Sequence, residues 1–298
     1  MAATAVEARP SRLIVLGLEK LVDVDAHEGP VYAADEHALY FTTTPRPGPE
    51  VSIARLDLDT LAVRVLRESA NGANGMALAP DARLLVCEQG TPHERARISA
   101  VDRATGAVET IVDELAGLPL NSPNDIVLAG DGSIWFTDPS YGFLQGFKPE
   151  PAHGDYVYRY DGALTVVEDS FDKPNGLAFS PDESVLYVGD SGANHELGSF
   201  VPDRPHHVRA FDVLDGKRLA NGRLFATITP GFPDGIKVDA DGRVYVSCFS
   251  GVQIFAPDGE QLDEIELPGA VNFAFAHRTL LITTDTAIWA AELSAKGA

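Results

Sequence analysis

The chain has 298 residues, with 23 Lys and Arg against 44 Asp and Glu, a formal net charge of −21. A field of that sign repels nucleic acid and anionic membranes and favours cations and solubility, and a hydrophobic content of 45% excludes a disordered chain. No apolar run approaches the roughly 18 residues of a membrane span. The N-terminus, M-A-A-T-A-V-E-A-R-P, lacks the basic and then apolar pattern of a secretory signal. The two cysteines, Cys87 and Cys248, suit buried thiols in a reducing cell. The expectation is a cytoplasmic protein without nucleic-acid or membrane partners, a monomer or small homo-oligomer.

Residues 1–11 read as a flexible tail, followed by a strand-like stretch, R-L-I-V-L-G-L-E-K-L-V-D-V. Glu28 in H-E-G-P-V-Y-A is then the first of six points at which an oxygen-bearing side chain runs into an apolar strand. The others are Asn74 in A-N-G-M-A-L-A, Asn124 in S-P-N-D-I-V-L-A, Asn175 in K-P-N-G-L-A-F-S, Asp234 in F-P-D-G-I-K-V-D and Asn272 in A-V-N-F-A-F-A. Their spacings are 46, 50, 51, 59 and 38 residues, which brackets the roughly 40–50 residues of a four-stranded propeller blade. The repeat from Asn124 is complete, with strands D-I-V-L-A, S-I-W-F-T-D, Y-V-Y-R-Y and T-V-V-E-D. Turn signals D-G, P-D and N-G punctuate the chain. The segment V-D-E-L-A-G-L is expected to form a helical turn at most. The last repeat ends after three strands, so the N-terminal strand is expected to complete it and remove an open edge. The predicted fold is all-β, a single six-bladed β-propeller over residues 1–298.

In such a ring the anchors converge on the axis. The second strand of each blade runs back toward the anchor face. Its end places Thr42 to Thr44, Glu88 and Gln89, Asp138 to Tyr141, Asp190 to Asn194, Phe249 and Ser250, and Thr284 and Asp285 around the mouth. Two loops there are long, one aromatic-rich and carrying Tyr141 and Phe143, the other carrying His195. Both are candidates to lid or contact a substrate.

Glu28, Asn124, Asn175 and Asp234 would offer hard oxygen donors with a charge of −2 to one point. That set suits calcium first, then magnesium or manganese, with zinc and iron(II) as further candidates. No H-E-x-x-H or paired-His spacing marks a dedicated zinc site. Asn or Asp before Gly is also an ordinary turn pair; for Asn74 the turn and ligand readings stand equal. Asn272, followed by Phe273, is less turn-like and suits a supporting role.

The block N-S-P-N-D-I-V-L-A-G-D-G-S-I-W-F-T-D-P-S-Y-G resembles the signature of the gluconolactonase branch of the senescence-marker-protein/gluconolactonase/luciferin-regenerating-enzyme family. F-D-K-P-N-G-L-A-F-S-P-D-E-S-V-L-Y-V-G-D-S-G, P-D-G-I-K-V-D-A-D-G-R-V-Y-V-S and H-E-G-P-V-Y resemble further blocks of it, so the resemblance spans about Leu21 to Glu292. It implies a six-bladed propeller and a metal-dependent lactonase. It implies Glu28, Asn175 and Asp234 as metal ligands, Asn124 as a metal or substrate contact, and Asp125 as a substrate contact. Ser122 stands where some sugar-lactonase members carry Arg, and the loop from Gly192 to Pro205 is long for the pattern.

The expected chemistry is opening of a lactone, an aldono-lactone first. The metal would polarise the carbonyl and stabilise the oxyanion as water attacks. Asp234 is the first candidate for general base, with Asp125 or Asp190 as alternatives. His27 is expected to point away from Glu28, because neighbouring strand residues face opposite sides. No G-x-S-x-G elbow is present. The competing readings are phosphotriester hydrolysis on the same metal and a non-catalytic ligand-binding propeller.

Overall fold

The computed structural model describes residues 15–46, 50–195, 199–294 and 297; the expected tail at 1–11 lies outside them. Six four-stranded antiparallel sheets follow one another along the chain. Blade one comprises Val31–Ala33, Ala38–Thr42, Ile53–Asp57 and Val63–Arg67. Blade two comprises Ala73–Leu78, Leu84–Glu88, Arg97–Val101 and Val108–Val112. Blade three comprises Ile126–Leu128, Ile134–Asp138, Tyr156–Tyr160 and Leu164–Glu168. Blade four comprises Pro174–Phe179, Val185–Asp190, His207–Leu214 and Arg218–Thr227. Blade five comprises Ile236–Val238, Val244–Cys248, Gly251–Phe255 and Gln261–Glu266. Blade six takes Phe273–Ala276, Thr279–Thr283 and Asp285–Leu293 from the end of the chain and Val15–Ala26 from its start.

Closure therefore follows the sequence-based expectation. The N-terminal strand pairs antiparallel with Asp285–Leu293, from Val15 opposite Leu293 to Ala26 opposite Asp285. First strands of successive blades touch around the axis, and blade six returns to blade one.

The second strands are buried along their length because both faces of each blade are covered. In Ala38–Thr42, Tyr40 packs toward blade two while Leu39 and Phe41 pack toward blade six. Strand alternation thus feeds two cores at once. One apolar cluster fills each of the six gaps between neighbouring blades. Cys87 and Cys248 are buried and unpaired. The segment expected to form a helical turn instead makes a hairpin, Glu114–Leu115 against Leu118–Pro119. Ala116 and Gly117 both take positive φ, 53° and 84°, which suits a tight two-residue reversal between strands rather than a helix. The helix Tyr141–Leu144 lies in the aromatic loop after the second strand of blade three.

Candidate active site

The anchors turn toward the axis through local backbone geometry. Asn74 and Asn175 sit in bulges of their strands, where pairing jumps from Ala73 to Met76 and from Pro174 to Leu177. A bulge re-aims the side chains it carries. The glycine after each then packs under the next anchor. Gly75 N donates to Asn124 O at 2.8 Å, and Gly176 N donates to Asp234 O at 3.1 Å. A Cβ on Gly75 would stand 2.5 Å from Asn124 O, and one on Gly176 would stand 2.1 Å from Asp234 O. The Asn-Gly pairs are therefore demanded by close packing at the axis, a cause distinct from a turn.

A cavity of about 560 Å³ opens on the anchor face. Glu28, Asn74, Asn124, Asn175 and Asp234 line it, with Thr44, Gln89, Tyr141 and Asn194 from the ends of second strands and the loops after them. Glu28 Oε2 accepts from Gly29 N at 3.1 Å and from Asn272 Nδ2 at 2.7 Å. Asn272 is thus buried as a brace for Glu28. Asn74 Nδ2 donates to Asn124 O at 3.0 Å, and Asn175 Nδ2 donates to the Tyr141 hydroxyl at 3.4 Å. Asn124 Oδ1 is buried and accepts no hydrogen bond.

The electrostatics of the floor are strained in one direction. Burial and then the charge of Glu28 hold the Asp234 carboxyl well above the usual carboxylate range, with His27 opposing. Burial also raises Glu28, against His27, with Asp125 adding to the rise. Two carboxylates in one desolvated cavity disfavour ionising together. Burial pushes the Tyr141 hydroxyl up as well.

The other predicted residues divide. Asp125 is buried beneath Asn124 but is not among the described residues lining the cavity. Its Oδ1 accepts from Ile126 N at 2.8 Å, and Oδ2 lies 3.7 Å from Lys237 Nζ of blade five. Asp190 accepts from the backbone N–H groups of Asp172, Lys173 and Gly192 at 3.1, 2.9 and 3.2 Å. That makes Asp190 a clasp for the entry to blade four rather than a free base. Phe143 is 46% exposed outside the cavity, and His195 is not in its wall, although Asn194 is.

His27 overturns its expectation. It lines the cavity beside Glu28, because the chain bends between Ala26 and Val31 and strand alternation does not operate there. Its Nδ1 lies 2.6 Å from Asp285 Oδ1. Burial lowers its pKa, but Asp285, Glu28 and Asp234 together outweigh this and raise it. Three hydroxyls also went unread in the sequence. Thr137, Ser247 and Thr283 each donate to a carbonyl at the entry of the next blade, those of Asn175, Val271 and His27, at 2.8, 2.5 and 2.6 Å. Each sits in a second strand, one blade before the anchor it steadies.

The donor chemistry at the floor fits a hard cation. Among the described residues no three His, Cys, Asp or Glu side chains gather as a metal-binding group. Instead two carboxylates and amide oxygens share the cavity, one of those oxygens lacking any donor. A divalent ion would offset the charge of −2.

Comparison with known proteins identifies the family of the chain. The profile of the SMP-30/Gluconolactonase/LRE-like region matches residues 26–286. A gluconolactonase of Zymomonas mobilis is 33% identical over 255 residues, which is 80% of this chain and 69% of that protein. Lactonohydrolase oryL of Aspergillus oryzae is 29% identical over 280 residues, 84% of this chain and 63% of that protein. Among solved structures, a gluconolactonase from Xanthomonas campestris superposes with a TM-score of 0.79 at 35% identity over 96% of both chains.

Proposed function

The chain belongs to the SMP-30/gluconolactonase/LRE-like family, and from that premise we propose that it is a metal-dependent hydrolase of sugar lactones, aldono-lactones first. The observation that carries the metal is Asn124 Oδ1, buried without a donor in the cavity where burial raises Glu28 and Asp234 and the charge of Glu28 raises Asp234 further. Glu28, Asn124, Asn175 and Asp234 would hold the ion, calcium by donor type. Bound there, it supplies Lewis-acid polarisation of the lactone carbonyl.

The protein's own groups do the rest. Asp234 takes a proton from the attacking water, because Asp190 is committed to three backbone donors and Asp125 faces Lys237 outside the cavity wall. Water oxygen bonds to the carbonyl carbon, the bond from that carbon to the ring oxygen breaks, and the proton passes to the departing alkoxide. Tyr141, Asn74 and Gln89 border the cavity and supply hydrogen bonds to substrate hydroxyls. The product is a carboxylate, whose escape the chain's net charge of −21 favours.

The test is lactone hydrolysis by protein stripped with chelator, with calcium, magnesium, manganese, zinc and iron(II) restored singly. Activity should vanish on stripping and return with metal. Activity that survives complete stripping would sink the metal assignment. Paraoxon run in parallel, if turned over faster than any lactone, would replace the lactone with a phosphotriester.

A further inference from the structure

The cavity is polar at its floor but not along one wall. Phe232, two residues before Asp234, lines it. The Phe232 ring meets Phe249 edge to face with centroids 5.0 Å apart, and Phe249 meets Phe200 in the same way at 5.9 Å. Phe249 remains 48% exposed and Phe200 40% exposed. The Phe249 ring also packs on Gly231, where an added Cβ would stand 2.5 Å from it, so its position is fixed by the backbone beneath. On the other side Phe147 and Tyr141 line the cavity, held by the loop that Lys148 ties down through the carbonyls of Gln89, Leu120 and Asn121.

Phe232, Phe249 and Phe200 form a continuous apolar track from beside Asp234 to the surface of a strongly acidic protein. Exposed aromatic area of this kind is costly to leave in water and marks a binding surface when contiguous. Its inner end is part of the candidate site, so its occupant enters through the same mouth. A cavity of about 560 Å³ is the size that takes a drug-sized ligand, much larger than a monosaccharide lactone.

We infer that Phe232, Phe249 and Phe200 form a subsite for an apolar arm, alkyl or aryl, borne on the lactone ring of the substrate. This rests on the lactone-hydrolase reading above and moves its substrate class from bare aldono-lactones to lactones that carry an apolar arm. The ring sits at the polar floor and the arm runs outward over the rings of Phe232 and Phe249.

The experiment measures kcat/KM for γ-butyrolactone and a series of γ-alkyl lactones of increasing chain length, in the wild type, Phe249→Ser and Phe200→Ser. Dissociation constants for the matching alkyl lactams, which resist hydrolysis, are measured alongside. Wild type should gain about two- to fourfold per added methylene over the first few carbons, the factor expected for burying each group. Phe249→Ser should flatten that gain while leaving γ-butyrolactone turnover within about twofold, and Phe200→Ser should shorten the chain length at which the gain saturates. A flat wild-type series among lactones that are turned over would overturn the subsite, as would a slope that neither variant changes. Lactams that bind with a Phe249-dependent slope, with no lactone hydrolysed, would keep the subsite and remove the hydrolase reading. If lactams show no slope either, both fall. A dimer in sedimentation equilibrium that Phe249→Ser dissociates would reassign the track to a subunit contact and overturn the proposal.

Discussion

Replacing Gly176 by alanine tests whether close packing at the axis sets the positions of the oxygen donors. The new Cβ would stand 2.1 Å from Asp234 O, 2.8 Å from Ile236 N and 3.1 Å from the Gly235 carbonyl carbon. All three atoms are backbone, so no side chain can swing aside. Restoring an ordinary contact of 3.4 Å to Asp234 O requires a relative shift of about 1.3 Å (3.4 − 2.1) between blades four and five. Overpacking of this kind costs about 1–3 kcal/mol. With an unfolding entropy near 2.1 cal/mol/K per residue, a chain of 298 residues loses roughly 2–5 °C of Tm. Displacing a reacting group by about 1 Å costs about 100-fold in rate, so activity should fall far more than stability. The assay is kcat/KM for a lactone in saturating calcium, with calcium affinity by calorimetry and Tm by thermal unfolding. Gly17→Ala is the control, since no atom lies within 4 Å of its added Cβ. Gly176→Ala with kcat/KM within about twofold of wild type would refute the claim that this contact positions Asp234 and Asn175.

From about pH 5, above the range where carboxylates of ordinary or lowered pKa titrate, metal-free protein should lose stability as pH rises toward neutrality. Glu28 and Asp234 have folded pKa values raised chiefly by burial, with the charge of Asp125 adding to the first and that of Glu28 to the second, so the unfolded chain releases their protons first, near pH 4. The stability they give is full below that value and is lost as pH climbs through the folded values. Thermal unfolding should show the decline, calcium should reverse it, and Glu28→Gln should flatten it; a stability that rises over the same range would contradict the sign. Glu88 is fully buried and takes bonds from Arg67, Arg97, Asn71 and Ser99 at 2.9, 2.6, 2.9 and 2.7 Å. Glu88→Ala should cost about 3–5 kcal/mol by removing the buried carboxylate that Arg67 and Arg97 share, Arg97 keeping Glu94 at 2.8 Å, with kcat/KM unchanged below the lowered Tm; denaturant unfolding checks the first and steady-state kinetics the second. Lys148→Met removes the ammonium shared by three carbonyls. Freed of it, the loop bearing Tyr141, Gln145 and Phe147 should raise KM about tenfold with kcat nearly constant, the effect of about 1.5 kcal/mol of charged hydrogen bonding. An unchanged KM would show that the loop holds without it.

The fold was legible because the signals that build it are local and repeated. Apolar second strands, turn pairs and a blade-length period recur along the chain, and the missing fourth strand pointed to Val15–Ala26. What the sequence concealed depended on contacts between blades. His27 was placed outside the cavity by a rule that holds only inside a strand, yet the chain bends there. Asp190 carried the right chemistry at the right level of the mouth, but neighbouring N–H groups engage its carboxylate.

The glycines after the anchors show how an inter-blade constraint can still leave a trace in sequence. In blades two and four the N–H of the glycine after the anchor reaches the next anchor's carbonyl directly, from Gly75 to Asn124 and from Gly176 to Asp234. Asp125 and Phe273 stand in that place in blades three and six. There the second strand supplies a threonine hydroxyl that bridges the same gap: Thr137 Oγ1 accepts from Asp125 N at 3.1 Å and donates to Asn175 O, and Thr283 Oγ1 donates to His27 O. Both arrangements satisfy backbone groups that burial at the axis would otherwise leave unpaired. Anchor-plus-glycine and anchor-plus-distant-threonine are therefore two solutions to one packing problem. The recurrence of Asn-Gly records that problem, and the same packing turns Asn272 away from the cavity, where its amide braces Glu28.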